Sequence, residues 1–140
     1  MTEEFLAIWS KALEKRAAAI DLFHLGYWSD SLSRSYYSAF HAVTLLFLTD
    51  SKTFSSHKQL KGNFNKEYIH PGILNKALGV GFEFLFECRQ SGDYDVQALF
   101  DKTDALKGLE TLDTLLRGIR AHIASHIQIH LDDIPERIDS

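Results

Sequence analysis

The chain is expected to form an all-α protein, an antiparallel up-and-down bundle of four main helices and a fifth, shorter one. Apolar residues recur at spacings of three and four along four long stretches, the mark of amphipathic helices. No region alternates β-branched and polar residues as a strand would, and nothing repeats at a solenoid period. Start and stop residues fall between the stretches at distances that suit short helix-to-helix connections. With 140 residues, 45% of them apolar, and only two prolines and eight glycines, the composition gives one domain with a proper core and excludes collagen-like or largely disordered chains.

Thr2 can cap the first helix, with Glu3 and Glu4 at the positive end of its dipole. Phe5, Ile8, Trp9, Ala12, Leu13, Ile20 and Phe23 form its stripe, and Gly26 is a natural left-handed stop. The second helix runs from about Ser31 to Leu48, with Leu32, Tyr36, Phe40, Val43 and Phe47 on one face and few solvated residues elsewhere, so it is the most buried. A polar break from Thr49 to Ser56 follows, and Ser55 or Ser56 caps a short basic helix through His57, Leu60 and Phe64. Pro71 ends that segment and suits a first helical turn of the next, which runs from Ile73 to Cys88. Gly79 and Gly81 weaken it by about 1 kcal/mol each, which close helix packing would explain. The polar run from Arg89 to Asp95 reads as a turn, and Asp101 caps the last helix, striped with Leu106, Leu109, Leu115, Leu116, Ile119 and Ile123. The bundle is expected to occupy residues 1–131, and residues 132–140, with Pro135, a flexible tail.

Composition also narrows the function. The one cysteine, Cys88, can form no internal disulfide and cannot anchor a zinc site alone, which suits a reducing cytoplasm. The longest uncharged stretch, Ser35 to Thr49, is shorter than a membrane span and carries His41, so no membrane association is expected. Acids stand where a secretory signal would place bases. A net charge of −4 argues against a general nucleic-acid coat. Yet the charge is uneven: residues 51–80 hold five lysines against Glu67, and residues 81–113 hold eight acids against three bases. Such asymmetry either orients an anionic ligand or marks a solvated lysine-rich helix.

Three constellations could carry chemistry. Arg34, Tyr37, Ser38 and His41 share nearly one face of the second helix, a polar seam that must meet acids, a ligand or another subunit. Arg34 paired with an acid such as Asp93 would satisfy it internally. Arg89, Asp93 and Tyr94 could hold a phosphate in a two-point contact and stack on a base, or lock a turn through an ion pair to Asp93 or Asp95. His122, His126 and His130 stand four apart with Arg117 and Arg120 nearby. With no carboxylate or cysteine at matching spacing, a solvated face is the simpler reading, and neither a metal nor a cofactor is expected. Phosphate-loop glycines, a nucleophile elbow and zincin helices are absent from the sequence.

The run Gly26 to Ala42, then Ser56-His57-Lys58 and Phe64, then Arg89-Gln90-Ser91-Gly92-Asp93-Tyr94-Asp95, resembles small prokaryotic HEPN-domain proteins in three separated blocks and in order. The resemblance implies a four- or five-helix bundle, a homodimer, and a gene paired with a minimal nucleotidyltransferase. Many relatives of this kind are ribonuclease toxins of toxin–antitoxin pairs, whose arginine, then four to six residues, then histidine meet across the dimer. Arg89 matches that arginine, but Asp93-Tyr94 stands where those enzymes place the histidine. A carboxylate near pKa 4 is a poor acid at neutral pH, whereas metal-independent RNA cleavage needs a proton acceptor and cations around the phosphorane.

The resemblance therefore implies a dimeric protein that binds a nucleotide, RNA or a nucleotidyltransferase partner through Arg34, Tyr37, Lys58, Arg89, Asp93 and Tyr94, with His41 lining the same cleft. A metal-independent ribonuclease using a displaced pair, Arg34 with His41, is the alternative, and a purely structural interaction module the third. Arg117 with His122 and Arg120 with His126 also fit the bare spacing.

Overall fold

A computed structural model describes residues 2–94 and 99–137, and of residues 92–94 the backbone alone. The helices are α1 (Thr2–His24), α2 (Trp28–Thr49), α3 (His57–Phe64), α4 (Lys76–Tyr94) and α5 (Lys102–Ile127), with a π-helical turn at Asn65–Ile69 between α3 and α4. Among the described residues there is no strand, and the chain is an all-α bundle.

The centre is α2, which packs on α1, α4 and α5. Its Leu32, Tyr36, Ala39, Val43, Leu45 and Leu46 are fully buried, as the scarcity of solvated residues along it predicts. Small residues let α1 approach closely: Ser31 donates to the Ala19 carbonyl at 2.8 Å and Ser38 to the Ala12 carbonyl at 2.7 Å. These buried hydroxyls find acceptors on the neighbouring helix, so the bonds that stitch α1 to α2 offset the cost of burying them. On α5, Gly108 and Gly118 are notches: a Cβ at either would lie 2.5 Å from a methyl of Leu32 or Leu78. Gly79 and Gly81 of α4 are close contacts too, facing Asn65 with Ile69 and Thr111 respectively, as their placement in an otherwise apolar helix suggests.

The caps at Ser56 and Asp101 form as expected. Ser56 accepts from the Gln59 amide at 3.1 Å, and Asp101 with Asp104 makes a reciprocal capping box. Gly26 takes φ +82 after α1, where a side chain would be strained.

Helix α4 departs from the sequence expectation at both ends. It begins at Lys76 because Asn75 accepts from the Ala77 amide at 2.8 Å, a better start than Pro71 offers. It also continues through Tyr94, so residues 89–94 are helical and not a turn. Leu85 and Cys88 are buried just before this stretch and Arg89 is bonded to α2, so tertiary contact overrides weak local propensity.

Of the segment expected as a tail, residues 132–137 carry no regular structure and are bonded to the bundle, and residues 138–140 lie outside the described residues. Trp9 Nε1 donates to the Asp132 carbonyl at 2.9 Å, Arg16 Nη2 donates to the Pro135 carbonyl at 2.9 Å, and Arg120 bonds the Leu131 carbonyl and Asp133. Leu131 is 1% exposed, and Ile129 and Ile134 pack on the core. Beneath this strap, Arg16 and Asp113 form a buried bidentate pair at 2.7 and 3.3 Å, with Arg137 Nη1 3.7 Å from the same carboxylate. No helix among the described residues is long and apolar enough to cross a membrane.

Candidate functional site

The residues of the α2 polar seam meet different neighbours. Seven residues make two turns, about 10 Å of rise, and neighbours such as Tyr37 and Ser38 point about 100° apart. Ser38 therefore faces α1, and so does half-buried His41, whose pKa is lowered by burial and by Lys15 and Lys11. Arg34 is exposed, with no ion pair among the described residues. Tyr37 alone turns toward α4, where its hydroxyl accepts a 3.0 Å hydrogen bond from Arg89 Nη2.

Arg89 is the centre of the polar site. Its guanidinium carbon lies 5.5 Å from the Tyr37 ring centroid and 5.9 Å from that of Tyr36, half-buried between two faces that attract cations. Against the same rings stands His57, the first residue of α3. Its ring centroid is 5.6 Å from Tyr36 and 6.1 Å from Tyr37, and it stacks on Phe40 at 4.4 Å and 17°. Tyr36 Oη and His57 Nδ1 are 2.6 Å apart. Phe82 and Phe86 close the floor by packing on Tyr36.

The electrostatics follow from this geometry. Burial raises the Tyr36 pKa well above the ordinary tyrosine value, outweighing the opposite pull of Arg89, so Tyr36 stays protonated. Burial and then the Arg89 charge lower the His57 pKa below 6.5, so the imidazole is neutral at pH 7. Lys61 lies 4.6 Å from the Phe86 centroid and 3.7 Å from Glu83, and Lys58 is exposed one residue from His57. Both lysines belong to the helix that carries His57, and Lys61 is paired with Glu83. A cationic fork, a neutral imidazole and aromatic walls make a surface suited to an anion with an apolar or stacking neighbour.

Of the residues singled out from sequence, Tyr37 and Arg89 meet, with Lys58 on the adjoining helix; Arg34 and His41 are not in that contact. The side chains of Asp93 and Tyr94, and Asp95 as a whole, lie outside the described residues. The three-histidine row is broken: α5 stops at Ile127, Gln128 turns left-handed, and exposed His130 leaves the helix face. His122 and His126 stack on each other at 4.0 Å, and no group of three His, Cys, Asp or Glu among the described residues could hold a metal ion. Arg120 is bonded to the strap and Arg117 is exposed.

Sequence reasoning did not single out His57 and Tyr36 as site residues. The available signal was His57 itself, a histidine directly after a capping serine and inside a block already matched. Arg16 was missed as well, although it interrupts the stripe Trp9, Ala12, Ala19, Phe23 at helical spacing, where a cation must find a buried partner.

Comparison with known proteins identifies the family of the bundle. A family model described as HEPN domain matches residues 6–121, most of the bundle. A UPF0332 protein of Thermotoga maritima is 30% identical over 89 residues, covering 64% of this chain and 67% of its own length. A protein of Methanocaldococcus jannaschii named "Putative toxin" is 32% identical over 98 residues, covering 68% of this chain. The chain spans 65% of that second relative, about two thirds of each. The helical bundle, the order of its motifs and the extent of the match together make the chain a member of the HEPN domain family.

Proposed function

We propose that this HEPN protein is the toxin-like half of a two-component pair and binds RNA, or a nucleotide, through the cleft around Arg89. The observation that carries the reading is the Arg89 guanidinium held by the Tyr37 hydroxyl over two tyrosine rings. Arginine offers a planar fork of donors that matches a phosphate at two points, and the flanking rings give a base a surface to stack on. The similarity to a relative named as a toxin supports the class. In this reading the working unit is a cytoplasmic homodimer, Asp93 and Tyr94 take part in binding, and the second component is a minimal nucleotidyltransferase. A ribonuclease built on Arg34 and His41 is disfavoured, because two turns of helix separate them and His41 faces the lysines of α1.

The test is fluorescence anisotropy with a labelled single-stranded RNA 12-mer. Arg89→Ala is expected to weaken binding by at least tenfold, since it removes a charge-assisted contact. Arg89→Lys should recover only part of the affinity, because an ammonium lacks the two-point geometry. Affinity should fall with added salt. Absence of binding by the wild type at roughly 100 μM protein, or equal binding by Arg89→Ala, rejects the assignment. Induced expression that leaves host growth unchanged rejects the toxin class.

A further inference from the structure

His57 is placed more carefully than a surface histidine requires. Its ring is clamped between Phe40 and Tyr36, edge-on to Tyr37, and its Nδ1 is engaged by a hydroxyl from another helix at 2.6 Å. Tyr36 is 0% exposed and makes no other hydrogen bond among the described residues. If Nδ1 carried the proton and donated to Tyr36, the buried hydroxyl hydrogen would have no acceptor, a cost of about 1–3 kcal/mol. The favourable arrangement has Tyr36 donating to Nδ1, which leaves the hydrogen on Nε2. Nε2 has no partner among the described residues, and it is not an orphaned buried atom.

We infer that His57 is a second phosphate-binding group of the Arg89 cleft, presenting a neutral Nε2–H donor whose tautomer is fixed by Tyr36. The inference rests on the reading of that cleft as an anion site and names the residue that completes it. Arg89 and His57 both stand within about 6 Å of the same two ring centroids, and the Arg89 charge is felt at the imidazole, so the two groups belong to one polar surface. A neutral donor avoids like-charge repulsion with Arg89, which a second cation in this place would incur. The charged and titratable groups around it are Tyr36 and Tyr37 from α2, Arg89 from α4, and Lys58 and Lys61 of its own helix. Tyr36 is a positioning residue here: it orients the imidazole and does not reach the ligand.

Two measurements separate this inference from the broader function. In the first, 15N-labelled protein is titrated with inorganic phosphate alone, and the imidazole nitrogens of His57 are followed by NMR. The free protein is expected to show the Nε2–H tautomer, phosphate to shift the Nε2–H signal, and Tyr36→Phe to mix the tautomers while the far-UV spectrum is unchanged. In the second, RNA anisotropy is repeated with His57→Ala, expected to bind about tenfold more weakly, and His57→Gln, whose amide restores part of the loss. Wild-type affinity should stay level from pH 6.5 to 8; a rise of tenfold on acidification over that range would mean an imidazolium contact and overturn the inference. A Nδ1–H tautomer in the free protein, or no phosphate shift at His57, overturns it as well. RNA binding that depends on Arg89 but not on His57 sinks the inference and leaves the function standing. A phosphate response at His57 without RNA binding does the reverse.

Discussion

Removing the carboxylate of Asp113 strands charge under the C-terminal strap. Asp113 is 5% exposed and Arg16 3%, and they meet at 2.7 and 3.3 Å. Breaking a buried ion pair by deleting one partner costs about 3–5 kcal/mol, mostly because the surviving charge has lost its compensation. Arg16 keeps its bond to the Pro135 carbonyl, so Asp113→Ala is placed at the lower end, about 3 kcal/mol. At roughly 3 °C per kcal/mol for a domain of this size, the midpoint drops about 9 °C. Urea and thermal unfolding followed by circular dichroism measure both numbers, and proteolysis within residues 129–137 reports whether the strap is released. The control is Arg16→Met with Asp113→Leu, which replaces the pair by apolar volume and is expected to recover most of the loss. A single mutant within about 1 kcal/mol of wild type refutes the reasoning, and so does a double mutant as unstable as the single one.

Other consequences are smaller or differently read. Asp101→Ala removes the α5 capping box and should cost about 1 kcal/mol in urea unfolding; no change would mean the helix start is held by packing alone. Gly118→Val should destabilise by more than 1 kcal/mol, because even a Cβ would lie 2.5 Å from Leu78 Cδ1 in a packed interior. Burial pushes the Cys88 thiol up to about 11, so at pH 8 only about 0.1% is thiolate and Ellman's reagent should label the native protein far more slowly than the denatured chain. His41, His57 and His122 all have pKa values lowered from 6.5, chiefly by burial. The unfolded chain therefore binds more protons just below pH 6.5, and stability is full above that value and lost as pH falls through it. Melting at pH 7.5 and 5.5 should show the decrease, and His41→Gln should shrink it; a higher midpoint at pH 5.5 would contradict the assignment.

The bundle was legible because helical period survives in every long stretch and the caps at Ser56 and Asp101 are local devices. What was not legible depended on distant partners. The extension of α4 past Cys88 needs Tyr37 of another helix to hold Arg89, and the pinning of residues 132–137 needs Trp9 and Arg16, over 100 positions earlier. The candidate site was half visible. Arg89 and Tyr37 stood out as a cation and a phenol in matched blocks, whereas the Tyr36 to His57 bond joins residues 21 apart whose pairing no spacing rule connects. Arg34 and His41 looked joined because a helical wheel ignores rise along the axis.

The strap also fixes an order of events during synthesis. The α1–α2 hairpin can close as soon as it leaves the ribosome, but the Trp9 indole must wait for the Asp132 carbonyl and the Arg16 guanidinium for Asp113. Until those late residues emerge, the nascent chain carries an unquenched cation and an uncovered apolar flank, which is the interval in which a chaperone would have something to hold.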